Sequence, residues 1–148
     1  MTATAAQGAT VVMRHTFRAP VARVFRAWSE PAMAKRWSWG PEYDTISIDL
    51  NCEPGGVWRQ QIRDRNTGEN WFFEGVFQEV VPNRKLVHTF HFRSDRGHDE
   101  PPSVVTIEFT DRGESTDVVL THTQLVESKV KETETGWAKI FEVLEKIV

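Results

Sequence analysis

The sequence predicts an α+β helix-grip fold: a seven-stranded curved antiparallel sheet around a long C-terminal helix, with two short helices after the first strand. Three observations predict it. Between residues 44 and 123 almost every run alternates apolar and polar residues, the period of a half-buried antiparallel strand. Near the end the period changes, and Val130, Thr133, Trp137, Ile140, Phe141, Leu144 and Ile147 recur at spacings of three and four, the apolar stripe of a helix. A shorter helical stripe follows the first extended run. A helix laid in the concave face of such a sheet leaves space between them, so a cavity is expected.

The elements follow in order. Residues 1–9 are small and polar and are expected to form a disordered tail before a single domain over 10–148. Residues 11–18 alternate, with Val11, Met13, His15 and Phe17 on one face. Pro20 suits a helix start because its missing N–H is one of the first turn's orphan donors, and Val21, Val24, Phe25 and Trp28 then share one helical side. Ser29 with Pro31 repeats the start signal, and Met33, Ala34 and Trp37 give a second short helix its apolar side. The loop Ser38-Trp39-Gly40-Pro41 ends this part and carries an indole with no stripe to join, so Trp39 is expected at a cavity mouth. Strands are predicted over 44–50, 56–63, 70–80, 84–92, 103–110 and 116–123. Their breaks are turn chemistry: Pro54-Gly55-Gly56, Asn66-Thr67-Gly68, Pro82-Asn83, the polar stretch 94–102, and Asp111-Arg112-Gly113.

Bulk properties narrow the function. At 148 residues the chain can bury a core without disulfides or metal. The single cysteine, Cys52, excludes an intramolecular disulfide and suits a reducing compartment. The first residues lack both the basic start and the apolar run of a signal peptide, and no stretch approaches the ~20 apolar residues of a membrane span. A cytoplasmic protein without membrane contact is expected. With 18 basic and 21 acidic residues the net charge is −3, which offers no footprint for nucleic acid. Six Trp and nine Phe against one Tyr supply aromatics for a core and, equally, for the lining of a pocket.

The run Phe17, Ala19-Pro20, Val24, Ala27-Trp28, Pro31, Trp37 and Trp39-Gly40-Pro41 resembles the START-like (SRPBCC) superfamily, related to the birch-pollen allergen fold. The later pieces match in order: Pro54-Gly55-Gly56-Val57-Trp58-Arg59, Phe73 to Pro82, Lys85-Leu86-Val87, and Gly136-Trp137. More narrowly the chain is similar to the branch named after homologues of the activator of the heat-shock-protein-90 ATPase. The resemblance implies a helix-grip fold with a hydrophobic cavity and, as the leading function, binding of a small apolar or amphipathic molecule. It also implies two alternatives: a co-chaperone-like module acting on a heat-shock ATPase in a stress response, and an enzyme of the cyclase, aromatase or hydrolase kind using pocket histidines. No cofactor is implied, and a homodimer is left open.

Strand parity sorts the side chains that could carry function. The inward list contains Trp58, Gln60 and Ile62, then Trp71, Phe73, Gly75 and Phe77, then Leu86, His88, Phe90 and Phe92, then Val105, Ile107 and Phe109, and lastly Val118, Leu120 and His122. Its polar members are Gln60, His88 and His122. A polar group facing an apolar interior costs roughly 1–3 kcal/mol if unsatisfied, so each needs a partner. They are either satisfied core groups or polar anchors converging on one pocket, in which case affinity would depend on pH near neutrality. The candidate ligand-binding set is Trp39, Trp58, Gln60, Phe73, Phe77, His88, Phe90, His122, Trp137 and Phe141. No metal site is expected, since His88 and His91 lie on opposite strand faces and nothing else has ligand spacing. There is no nucleophile elbow, zinc-protease motif or phosphate loop, so no catalytic residue is assigned. Cys52 has no basic neighbour in sequence and is expected to be inert. Gly75 and Gly136 are read as points of close backbone approach.

Overall fold

The computed structural model describes residues 8–37 and 41–148. The chain runs β1 (Ala9–Phe17), α1 (Val21–Ser29), α2 (Pro31–Ala34), β2 (Tyr43–Leu50), β3 (Val57–Asp64), β4 (Asn70–Val81), β5 (Lys85–Ser94), β6 (Ser103–Asp111), β7 (Thr116–Leu125), a 3₁₀ turn (Glu127–Lys129) and α3 (Val130–Ile147). The strands form one antiparallel seven-stranded sheet in the order β1-β7-β6-β5-β4-β3-β2. Consecutive strands are neighbours from β2 to β7, as short turns require, and β1 closes the far edge beside β7. The expected fold class is therefore the observed one. The expected tail falls mostly on residues outside those described.

The sequence signals at the helices act somewhat differently from their reading. Pro20 is the extended residue before α1, and its carbonyl accepts from the amides of Arg23 and Val24 at 3.0 and 3.1 Å. Ser29 belongs to α1 and its hydroxyl donates back to the Phe25 carbonyl at 2.9 Å, the local competition that hydroxyl residues offer in helices. The capping position falls to Glu30, and Pro31 opens α2 as expected. α2 is only one turn long, yet Trp37 beyond it is buried and its indole N–H donates to the Ala27 carbonyl at 2.9 Å.

One core forms where α1 and α3 meet the sheet. Phe17, Val24, Trp28, Phe77, Leu86, Ile107 and Leu120 pack with Trp137, Ile140, Phe141 and Leu144 of α3. Those four α3 side chains are buried, and each contributes roughly 1.5–3 kcal/mol through burial. Aromatic edges organise the centre: Phe17 lies 5.8 Å from both Trp28 and Phe141. Two irregularities adjust strand parity. A bulge between Phe77 and Glu79 brings Val80 opposite Leu86. At the end of β7, Gln124 takes a positive φ of 61°, after which Leu125 turns inward.

Candidate functional site

Between the sheet and the helices lies an inner cavity of about 60 Å³. Trp28, Ala34 and Trp37 close it from the α1–α2 side, Trp137 and Ile140 from α3, and the sheet supplies Ile48, Leu50, Trp58, Gln60, Phe77, Leu86, His88 and Phe90. A second, more open groove of about 610 Å³ runs between the start of α3 and the ends of β2, β4 and β5. Its walls include Tyr43, Trp71, Phe90, Phe92 and Trp137, and its rim carries His98, Glu100, Lys129, Lys131, Glu132 and Lys139. Phe90 and Trp137, with ring centroids 6.1 Å apart, line both spaces.

Two side chains of the inner cavity, those of Trp58 and His88, meet at the carbonyl of Thr89. Gly75 on β4 stands between Trp58 on β3 and Thr89 on β5, and a Cβ there would collide with the Thr89 carbonyl oxygen and the Trp58 indole nitrogen. The missing side chain lets the Trp58 indole cross the strand and donate to Thr89 O at 3.2 Å. The same oxygen lies 2.8 Å from Nδ1 of His88. A carbonyl only accepts, so Nδ1 carries the proton and Nε2 of the neutral ring keeps its lone pair. Burial pushes the His88 pKa down to about 4, against the opposing pull of its carbonyl bond.

Gln60 is the other polar group in this wall. It is only 5% exposed, and its side-chain Nε2 has no hydrogen-bond partner among the described residues. The surrounding lining is almost wholly aromatic and aliphatic. A buried amide left unpartnered costs about 1–3 kcal/mol, a cost that a guest molecule or an enclosed water would remove.

His122 is differently placed. It lines the outer groove and not the inner cavity, so the expected convergence of Gln60, His88 and His122 on one pocket is corrected to Gln60 with His88 alone. The reason is distance across the sheet: His88, Val105 and His122 stand in line on β5, β6 and β7, so two strand spacings separate the histidines, and Phe90 stands against the His122 ring at 4.9 Å. Both ring nitrogens of His122 are engaged, Nδ1 with the Trp137 indole at 3.1 Å and Nε2 with the Ser103 hydroxyl at 2.6 Å. The indole only donates, so Nδ1 accepts and Nε2–H donates to Ser103, whose hydroxyl reaches the Phe90 carbonyl at 3.2 Å. Burial, with His88 adding to it, lowers the His122 pKa to about 3. Burial favours the neutral form of both inward rings at pH 7.

Of the candidate set, the structure brings Trp58, Gln60, Phe77, His88, Phe90 and Trp137 together around the inner cavity. Phe73 and Phe141 line neither space. Phe73 is stacked on Phe92 at 5.1 Å, and Phe141 packs against Phe17 and Trp28. Trp39, with Ser38 and Gly40 of its loop, lies outside the described residues. Sequence reading missed Ser103, which is buried beside His122 at the first position of β6 and shares the inward parity of Val105, Ile107 and Phe109, so the alternation itself could have found it. It also missed the helical lining from Trp28, Ala34 and Trp37, whose apolar stripe signalled burial but not what they face. No group of three or more metal-ligating side chains occurs among the described residues. Cys52 is half-buried with its thiol pushed up to about 11 by burial, far from a reactive thiolate. No helix among the described residues is long and apolar enough to cross a membrane.

The fold has many relatives among solved structures. A protein from Chromobacterium violaceum superposes with a TM-score of 0.81 at 19% identity, covering 94% of this chain and 96% of its own. A protein from Rhizobium leguminosarum gives 0.75 at 25% identity over 93% and 95% of the two chains. The AHSA1-like protein from Aeromonas hydrophila gives 0.75 at 19% identity over 95% and 92%. At these identities the likeness is one of fold. No curated protein matches the sequence. The family model described as "Activator of Hsp90 ATPase homolog 1-like protein" matches residues 18–148. With nearly the whole chain covered by that match and the helix-grip architecture around it, this protein belongs to the activator of Hsp90 ATPase homolog 1-like family.

Proposed function

We propose that this protein binds a small apolar or amphipathic molecule between its sheet and α3, without transforming it. The observation that supports this most directly is the unpartnered amide of Gln60, buried in an otherwise aromatic wall. Ligand sites usually combine an apolar lining with a few placed polar groups, and this lining has that composition. The inner cavity alone is smaller than the roughly 150 Å³ that holds benzene, so the bulk of a guest lies in the outer groove and its end reaches the inner cavity by displacing the Phe90 and Trp137 rings, which stand in contact between the two spaces.

The family match supports a second reading, an interaction module acting on a heat-shock ATPase. The position of Gln60 favours the first, because a protein surface does not reach a side chain only 5% exposed. Titration with the neutral fluorophore N-phenyl-1-naphthylamine, together with native mass spectrometry of freshly purified protein, tests it. Saturable binding with one probe per chain, or a retained small molecule, supports the reading. No saturation and no retained mass, alongside stimulation of a heat-shock ATPase by the chain, would replace it with the second.

A further inference from the structure

We propose that the inner cavity selects ligands by a neutral hydroxyl, held between the Gln60 side-chain amide and Nε2 of His88, so that the molecule bound is an uncharged alcohol or phenol with an apolar body. This rests on the binding function proposed above and specifies its ligand class. Four observations carry it.

Gln60 presents a buried polar atom without a partner, and it lines the same cavity as His88. The Thr89 carbonyl fixes the His88 tautomer, leaving one ring acceptor uncommitted to that bond. A hydroxyl is the smallest group that accepts from an amide and donates to an imidazole at once. Volume points the same way. About 60 Å³ accommodates a hydroxyl and the carbon that bears it, while the aromatic bulk of a ligand needs the larger space past Phe90.

Charge excludes the neighbouring alternatives. An ionised carboxylate offers no proton to the His88 lone pair, and it would enter a wall made of Trp28, Trp37, Trp58, Phe77 and Ile140 with no cation among the lining residues. An ether offers an acceptor to the amide but nothing to the imidazole. A hydrocarbon satisfies neither group.

The test compares four probes of one shape on the full chain: 2-naphthol, 2-methoxynaphthalene, naphthalene and 2-naphthoate. Affinities are read from tryptophan fluorescence and checked by calorimetry. The expected result is that 2-naphthol binds about tenfold more tightly than each of the others, the worth of roughly one buried hydrogen bond. In Gln60→Met and in His88→Phe that preference should shrink to about twofold while naphthalene binding persists, which also shows that the variants remain folded. Equal affinity of wild type for naphthol and naphthalene overturns the hydroxyl selection and leaves the binding function standing. Undiminished naphthol preference in Gln60→Met shows that the amide holds only water, and also overturns it. Failure of all four probes to bind wild type removes both the selection and the function beneath it.

Discussion

The indole N–H of Trp137 on α3 donates to Nδ1 of His122 on β7 at 3.1 Å, so the closing helix is fastened to the sheet by a polar bond inside an aromatic cluster. The bond sets the histidine tautomer, passes through Ser103 to the Phe90 carbonyl, and holds in place one of the two rings that stand between the inner cavity and the outer groove. Helix packing and cavity shape therefore depend on the same pair.

Replacing Trp137 with Ala should cost about 3–5 kcal/mol, as truncation of large core aromatics does. Trp137→Phe should cost less, about 1–3 kcal/mol, since most of the packing survives while Nδ1 of His122 loses its donor. Urea unfolding measures both. An unchanged midpoint in Trp137→Ala would contradict the burial of α3 against the sheet.

Acid should weaken the fold before the carboxylates are protonated. His88 and His122 have folded pKa values of about 4 and about 3 against an ordinary value of 6.5, so the unfolded chain binds more protons than the native one below that value. Stability then rises with pH from about 4 to about 6.5 and is flat above it with respect to these two rings. Asp44, Asp95 and Asp117, each held below the ordinary 3.8 first by a side-chain hydrogen bond, withdraw their contributions only at lower pH. Urea midpoints measured from pH 4.5 to 7.5 should climb in wild type and climb less in His88→Phe.

Gly75→Ala should destabilise the sheet by about 1–3 kcal/mol, because the added methyl meets the Thr89 carbonyl and the Trp58 indole at once. The indole must move, so tryptophan emission should shift along with the midpoint. A variant with wild-type emission and stability would mean that Trp58 does not cross the strand at this point.

Glu145 near the end of α3 accepts from His15 on β1 at 2.9 Å and from the amide of Arg18 at 3.3 Å. His15 and Glu145 side chains are about a third exposed, so solvent screens the pair, and Glu145→Ala should cost only about 0.5–1.5 kcal/mol. Hydrogen exchange should show the loss locally, as faster exchange in β1 and the last turns of α3. Uniform acceleration across the sheet would point instead to a global role for Glu145.

The order and type of the elements were legible in the chain, because the period of two along β3 to β7 and the stripe from Val130 to Ile147 are local properties. The inward orientation of Gln60, His88 and His122 was legible for the same reason: parity needs no knowledge of neighbouring strands. What satisfies each of them was not legible. Ser103 and Trp137 reach His122 from distant parts of the chain, Thr89 receives Trp58 only because Gly75 leaves the way clear, and Nε2 of Gln60 is left without a partner among the described residues. These pairings arise when distant segments pack, and with them comes the division of the interior between a small cavity and a larger groove. Hydrogen-bond geometry and enclosed volume depend on how strands register and how closely a helix seats against them, and no repeating pattern in a single chain segment encodes either distance.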